Sequence, residues 1–119
     1  MSNKKTAIVI DDDHDIADVF SELLEELGVK VLGKGYNGKD AVTLYKEYTP
    51  DIVFLDVMMY EYDGFYALEK IKELNPGAKI VVITADITQS STTKLEELKI
   101  YTIIHKPIDL QKIIQVIKN

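Results

Sequence analysis

The chain has 119 residues and a net charge of −6, with 46% hydrophobic and 29% charged residues, which is typical of one globular domain. The negative charge argues against nucleic acid as a direct partner, and the absence of cysteine excludes disulfides, thiolate catalysis and Cys-based zinc sites. No apolar run reaches the length of a signal-peptide core or a transmembrane helix, so we expect a soluble, cytoplasmic protein without a membrane partner.

Five short apolar runs alternate with longer segments of helical periodicity. In chain order the runs are AIVI, VKVLG, DIVFL, KIVVIT and IYTII. Runs that are apolar on both faces are typical of strands buried between two layers of helices. We therefore predict an α/β fold, a single doubly wound (βα)5 domain over residues 1–119. By analogy with flavodoxin-like folds, its parallel five-stranded sheet is expected in the order 2-1-3-4-5, with a ligand crevice between strands 1 and 3.

Each apolar run is followed by a predicted helix. The first three helices are expected to end at Gly28, at Pro50 and at the sequence NPG. Their predicted buried faces are Ile16, Phe20, Leu23, Leu24 and Leu27, then Ala41, Leu44, Tyr45 and Tyr48, then Phe65, Leu68, Ile71 and Leu74. The fourth, TQSSTTKLEELK, is poorly amphipathic. The last, residues 110–118, is predicted to bury Leu110, Ile113, Ile114 and Ile117.

Polar side chains follow four of the five predicted strands. They are Asp11, Asp12 and Asp13 after the first strand, Asp56 after the third, Thr84 after the fourth and Lys106 after the fifth. Because strands 1 and 3 are neighbours in the expected order, we predict that Asp11, Asp12 and Asp56 converge at the crevice.

Converging carboxylates repel one another, so this cluster needs a positive charge nearby. Oxygen ligands without His or Cys favour a hard divalent cation, and few protein ligands with room for water and phosphate favour Mg²⁺. Lys106 supplies a second positive charge, and Thr84 supplies a hydroxyl. Such a site suits phosphoryl transfer onto the central carboxylate, Asp56, giving an acyl phosphate.

Taken singly, these residues have simpler interpretations. Asp13 is a favoured N-cap for the first helix, Asp56 suits an ordinary turn, and a lone lysine is usually solvated. His14 and His105 lack a second nitrogen ligand nearby, so we assign neither to a metal. A common site is favoured because the side chains at four strand ends all suit the same chemistry.

A second motif competes with this interpretation. Gly33, Gly35 and Gly38 form the Gly-x-Gly-x-x-Gly pattern of a dinucleotide-binding turn, and Asp56 follows at roughly the expected distance. A dinucleotide fold needs six strands, however, and here the glycines fall on an expected edge strand. We predict instead that Asn37 and Gly38 start the second helix, with Gly33 and Gly35 in the turn before it.

Four motifs in order make the chain resemble a response regulator receiver domain of two-component signalling. They are IVIDDDHDI for the acidic motif, PDIVFLDVMMYEYDG for the phosphoacceptor motif, VVITA for the Thr-Ala motif and HKPI for the Lys-Pro motif. The resemblance covers nearly the whole chain. It implies that Asp56 is phosphorylated, that Asp12 binds Mg²⁺ directly, and that Asp11 helps directly or through water. The backbone carbonyl of Met58 would complete the protein ligands.

The resemblance also implies a reaction partner and a response. Thr84 would contact the phosphoryl oxygens, Lys106 would pair with them, and Met58 and Asp86 would flank the path of the hydrolytic water. The donor would be a phosphohistidine on a sensor histidine kinase or histidine phosphotransfer protein. An output protein would read the face formed by the fourth helix, the fifth strand and the last helix.

The chain departs from the family pattern in its response region. Tyr60 stands where the family usually has proline, Lys99-Ile100 replaces a small Gly-Ala pair, and Ile103 replaces a Tyr or Phe that swings inward as Thr84 closes. Ile103, at the switch position, cannot act as an aromatic rotamer switch. Tyr101, two residues earlier and therefore expected on the same side of the strand, is a candidate substitute. The phosphorylation chemistry is expected to be intact and the usual response altered.

Two other function classes remain as alternatives. A haloacid-dehalogenase-like phosphatase also uses an aspartate at a strand end, but it needs a second Asp where this chain has Met58. A receiver-shaped binding module would act without phosphorylation. The segment after the last helix is short, so we expect a stand-alone receiver or a relay intermediate, with a receiver cut from a longer regulator as the alternative.

Overall fold

The protein is described by a computed structural model that covers residues 4–57, 63–84, 100, 102–106 and 108–118. The strands are β1 (Thr6–Ile10), β2 (Lys30–Gly35), β3 (Ile52–Asp56), β4 (Ile80–Thr84) and β5 (Thr102–His105). The helices in these ranges are α1 (His14–Glu26), α2 (Gly38–Tyr48), α3 (Asp63–Leu74) and a C-terminal helix (Leu110–Lys118). The predicted segment TQSSTTKLEELK lies outside the described residues, as do Met58, Tyr60, Asp86 and Tyr101.

The five strands form one parallel sheet in the order β2-β1-β3-β4-β5, as predicted. Every residue of β3 and β4 is buried, because helices cover both faces of the sheet. One apolar cluster joins the sheet to α2 and α3 and contains Ile8, Leu55 and Leu68. The other joins it to α1 and the C-terminal helix and includes Phe20 and Phe54, whose rings meet edge to face 5.2 Å apart.

Side chains and glycine fix the ends of the helices on either side of β2. Asp13 is the N-cap of α1, where its carboxylate accepts hydrogen bonds from the backbone N–H groups of Asp15 and Ile16. After α1 the chain turns at Gly28, whose φ of 90° is accessible to glycine without strain. Asn37 caps α2 in the same way, so the predicted start of this helix at Asn37 and Gly38 is confirmed.

The predicted position of two glycines was wrong. Gly33 and Gly35 lie inside β2, paired with Ile8 and Ile10 of β1, and not in the turn that follows. The strand continues because α2 packs closely against it: a Cβ at Gly33 would lie 2.9 Å from Leu44 Cδ2. The glycines therefore serve helix–sheet packing.

Four residues that were predicted to face the core are exposed, because they lie beyond the rim of the sheet or at helix ends. They are Ile16 (38% exposed), Tyr48 (39%), Leu74 (48%) and Leu110 (44%). In the C-terminal helix, Ile113 and Val116 are buried, whereas Ile114 and Ile117 are only half-buried. Helical spacing located the apolar side of this helix, but the sheet covers only its middle.

Candidate functional site

The site forms where β1 and β3 end side by side. Ile10 pairs with Leu55, so the residues that follow them, Asp11 and Asp56, lie side by side at the carboxyl edge of the sheet. The backbone N–H of Asp11 donates to Gly35 O at 3.1 Å, which fixes the first residue after β1. Parallel pairing thus places two carboxylates from distant parts of the sequence at one edge.

Asp12 joins them to form a group of three carboxylates. One carboxylate oxygen from each of Asp11, Asp12 and Asp56 lies within 4.8 Å of the others. Asp11 and Asp56 are each 5% exposed, whereas Asp12 is exposed to solvent. Asp11 Oδ1 accepts a hydrogen bond of 2.9 Å from the backbone N–H of Asp13. The predicted convergence of the three carboxylates is therefore present, with one open side.

Lys106 reaches the same carboxylates from the end of β5. Its Nζ lies 3.1 Å from Asp56 Oδ2 and 3.5 Å from Asp11 Oδ2. Its backbone N–H donates to Thr84 O at 2.8 Å, so the ends of β4 and β5 stay joined beyond the sheet. One ammonium group thus contacts both buried acids.

The charges in the pocket shift two of its pKa values. Burial raises the pKa of Asp11 above its ordinary value, and the neighbouring Asp56 adds to this, whereas Asp13 N–H and Lys106 act in the opposite direction. For Lys106, burial favours the neutral amine, but the carboxylates of Asp56 and Asp11 prevail and raise the pKa. Lys106 is therefore charged at neutral pH, and Asp11 lacks a full counter-charge.

The donor set fits a small hard cation. It consists of carboxylate oxygens, with no nitrogen or sulfur ligand among the described residues of the cluster. Two Mg–O bonds on opposite sides of the ion span about 4.2 Å, which is close to the 4.8 Å within which these three carboxylate oxygens lie. A cation here would also supply the positive charge that Asp11 lacks. Asp11, Asp12 and Asp56 are the described residues able to hold it, and Met58, the fourth predicted ligand, lies outside the described residues.

The remaining predicted residues occupy distinct places. Thr84 is the last residue of β4 and is buried, at the same edge as Asp56. Ile103 is half-buried in β5 and packs on the cluster between the sheet and α3. His14 does not face the carboxylates as a ligand; its ring stacks on Tyr36. Asp13 is engaged as the cap of α1.

Two features of the site were not found from the sequence. The first is the stacked pair His14–Tyr36, which joins residues 22 positions apart and has no local signature. The second is an apolar groove of about 410 Å³ next to the pocket. This groove, called the α1 groove below, is lined by Asp15, Ile16, Val19, Phe20, Leu23, Ile108 and Leu110. Ile16, Phe20 and Ile108 also line the small cavity that is lined by Asp11, Asp56 and Lys106, so the groove lies directly beside the pocket.

Among the described residues, no helix is long and apolar enough to span a membrane.

This fold and this pocket define a class of signalling domain. A model of the response regulator receiver domain family matches residues 7–118, and the chain therefore belongs to that family. Its relatives include chemotaxis proteins CheY. The one from Bacillus subtilis (strain 168) is 30% identical over 112 residues, which are 94% of this chain and 93% of the relative. The one from Thermotoga maritima is 29% identical and covers 97% of this chain and 96% of its own length.

Solved structures agree with this assignment. A chain in the crystal structure of the CheX-CheY-BeF3-Mg²⁺ complex from Borrelia burgdorferi superposes with a TM-score of 0.86 at 25% identity, covering 94% of this chain and 85% of that chain. The family assignment contradicts the competing dinucleotide-binding interpretation, which the strand count already disfavoured: Gly33 and Gly35 lie inside the edge strand β2, and Asn37 caps α2.

Proposed function

We propose that this protein is a phosphoacceptor signalling domain in which Asp56 receives a phosphoryl group from a phosphohistidine in a Mg²⁺-dependent reaction. One observation carries the proposal: the buried Asp56 carboxylate has an oxygen within 4.8 Å of oxygens of Asp11 and Asp12 and lies 3.1 Å from Lys106 Nζ. This arrangement supplies a nucleophile, a place for a cation and a fixed positive charge at one point. The Borrelia burgdorferi complex contains Mg²⁺ and BeF3 together, which supports the assignment of the cation.

Asp12, Asp11, Asp56 and the backbone carbonyl of Met58 would hold the ion. When bound, Mg²⁺ neutralises charge on the transferring phosphoryl oxygens. One oxygen of Asp56 attacks phosphorus, the P–N bond to the donor imidazole breaks, and the nitrogen keeps the electron pair. The product is a mixed anhydride of carboxylic and phosphoric acid. Water later attacks this phosphorus and regenerates the Asp56 carboxylate, so the modified state is limited in time.

Lys106 and Thr84 act on the phosphoryl group from the side of β4 and β5. Lys106 Nζ already touches both acids and needs only a small displacement to pair with a phosphoryl oxygen on Asp56. The hydroxyl of Thr84 would donate to another of these oxygens. Both groups stabilise the negative charge that is spread over the oxygens of the phosphoryl group in flight, which favours the transition state over the ground state.

The donor protein would dock on the α1 groove. A macromolecule that delivers a phosphoryl group to Asp56 must cover the mouth of the pocket, and the groove shares Ile16, Phe20 and Ile108 with the cavity beside Asp56. Val19 is 66% exposed there, although it is apolar. α1 carries Asp15, Asp18, Glu22, Glu25 and Glu26 and no Lys or Arg, and of these acids Asp18 is paired with Lys34. The donor surface that fits, on a sensor histidine kinase or phosphotransfer protein, is an apolar ridge flanked by Lys or Arg.

The response would pass through a protein–protein surface on the β5 side of the domain. Ile103 has no aromatic ring to rotate, so the response would depend on Thr84 and on the packing of Ile103 against the core. We propose that the protein acts in the cytoplasm. A receiver-shaped module that binds partners without phosphorylation is the second candidate, because Lys106 already neutralises part of the pocket in its present state.

Phosphorylation from a small donor tests the proposal. The protein is incubated with Mg²⁺ and acetyl phosphate, and its intact mass is followed, with Asp56→Asn and an EDTA-treated sample as negative controls. Asp13→Asn is the matched control, since asparagine keeps the N-cap of α1 while removing a carboxylate from the same loop. We expect one hydroxylamine-labile phosphoryl group on the wild type and on Asp13→Asn only. No label from acetyl phosphate or phosphoramidate, although Mg²⁺ binds, would favour the unphosphorylated binding module.

A further inference from the structure

Two aromatic rings stack beside the acidic pocket and have no part in the mechanism above. The rings of His14 and Tyr36 lie 3.7 Å apart between centroids, with 10° between their planes. His14 is the first residue of α1, and Tyr36 follows the last residue of β2. The pair therefore joins the start of α1 to the end of the edge strand.

The stack closes off a short segment, residues 11–14, which carries Asp11 and Asp12 of the pocket. On one side of it, Asp11 N–H is held by Gly35 O, the residue before Tyr36. On the other side, the stack fixes His14. Tyr36 is itself held, because its N–H donates to Asp40 Oδ2 at 2.9 Å. Residues 11–14 thus form a short bridge that is attached to the β2 end at both of its termini.

Asp12 depends on this bridge more than its neighbours do. Asp11 is buried and bonded to Asp13 N–H and Lys106, and Asp13 is bonded to α1. Within the described part of the chain, Asp12 is exposed and forms no hydrogen bond or ion pair of its own. Its position near Asp11 and Asp56 is therefore set by the backbone of the bridge alone.

We propose that His14 and Tyr36 are positioning residues that hold Asp12 ready for the divalent cation. The proposal rests on the proposed function, because it assigns Asp12 as a ligand. Without the stack, the bridge gains conformational freedom that the cation must remove when it binds. A stacked aromatic pair stabilises its arrangement enough to change a binding constant about 2- to 10-fold, and this sets the expected size of the effect.

Titration of Mg²⁺ by calorimetry tests the proposal in Tyr36→Ala, His14→Ala, the double variant and Tyr36→Phe. Tyr36→Phe keeps the ring and is expected to bind Mg²⁺ like the wild type. Each alanine variant is expected to raise the Kd about 2- to 10-fold, and the double variant no further than either single change, since either one removes the whole stack. Thermal unfolding in EDTA separates this effect from a loss of stability.

Tyr66→Ala is the matched control. Tyr66 is an exposed tyrosine of α3 that does not line the cavity with Asp11, Asp56 and Lys106, and Lys70 Nζ lies 5.9 Å from its ring centre. It is expected to leave the Kd unchanged. An unchanged Kd for Mg²⁺ in folded His14→Ala and Tyr36→Ala would overturn the proposal. So would additive increases of the Kd in the double variant, or a raised Kd in Tyr36→Phe.

The same titration distinguishes this proposal from the proposed function. A wild type that binds no Mg²⁺ and takes no phosphoryl group would refute both. A wild type that binds Mg²⁺ and is phosphorylated, with alanine variants that bind equally well, would refute the positioning role alone.

Discussion

Gly64, the second residue of α3, lies against the backbone that carries the phosphoacceptor. A Cβ at this position would lie 2.3 Å from Val57 Cα and 2.8 Å from Asp56 O. Since ordinary contacts to a Cβ begin near 3.4 Å, Gly64→Ala requires the start of α3 and the end of β3 to separate by about 1.1 Å. Neither neighbour is a flexible side chain, so the displacement falls on the Asp56 segment itself.

The cost of this displacement follows from overpacking in a closed interior. Inserting one methyl group into such a site costs about 1–3 kcal/mol of unfolding free energy, which exceeds what alanine gains in helix propensity, at most about 1 kcal/mol. Gly28 provides an intermediate case: no atom lies within 4 Å of its Cβ position, but its φ of 90° strains alanine by about 1 kcal/mol. Gly77 provides the matched control, because its nearest contact is 3.4 Å and its φ is not positive.

Urea unfolding of the three Gly→Ala variants measures these differences, and acetyl phosphate labelling measures the site. We expect stability to fall in the order Gly77, Gly28, Gly64, with phosphorylation impaired only by Gly64→Ala. If the free energies of unfolding of Gly64→Ala and Gly77→Ala differed by less than about 0.5 kcal/mol, the inference that α3 packs tightly against the Asp56 backbone would be refuted.

Three further results are expected. Val19→Asp in the α1 groove should slow phosphotransfer from a protein donor at least tenfold without changing labelling by acetyl phosphate; equal loss with both donors would exclude a docking role. Because the folded-state pKa of Asp11 is raised above 3.8, stability without Mg²⁺ should fall as pH rises from about 4 through that pKa; Asp11→Asn should remove this fall in urea titrations at several pH values. Thr49 is a β-branched residue at φ 38°, so Thr49→Gly should be about 1 kcal/mol more stable than the wild type in thermal unfolding. No gain in stability would mean that the conformation of Thr49 is unstrained.

The sequence by itself determined the fold class, the strand order by analogy, and the residues of the pocket. This was possible because each relevant side chain directly follows an apolar run, and parallel strands bring their carboxyl ends to one edge. The cap at Asp13, the stop at Gly28 and the start of α2 at Asn37 were also predictable, since caps and glycine turns are local properties of the chain.

Tertiary structure alone decided how these pieces meet. Lys106 Nζ lies closer to Asp56 than to Asp11. This difference depends on how far apart the ends of three strands lie in the folded sheet, and the spacing of residues in the sequence does not set those distances. Ile16 and Leu110 have the periodicity of core residues, yet they line an open groove because the sheet ends before it covers them. The stack of His14 on Tyr36 depends on the register of β2 against β1, including the irregularity opposite Ala7 and Ile8. Local sequence identifies a side chain that suits a site, but pairing between distant segments decides what that side chain touches.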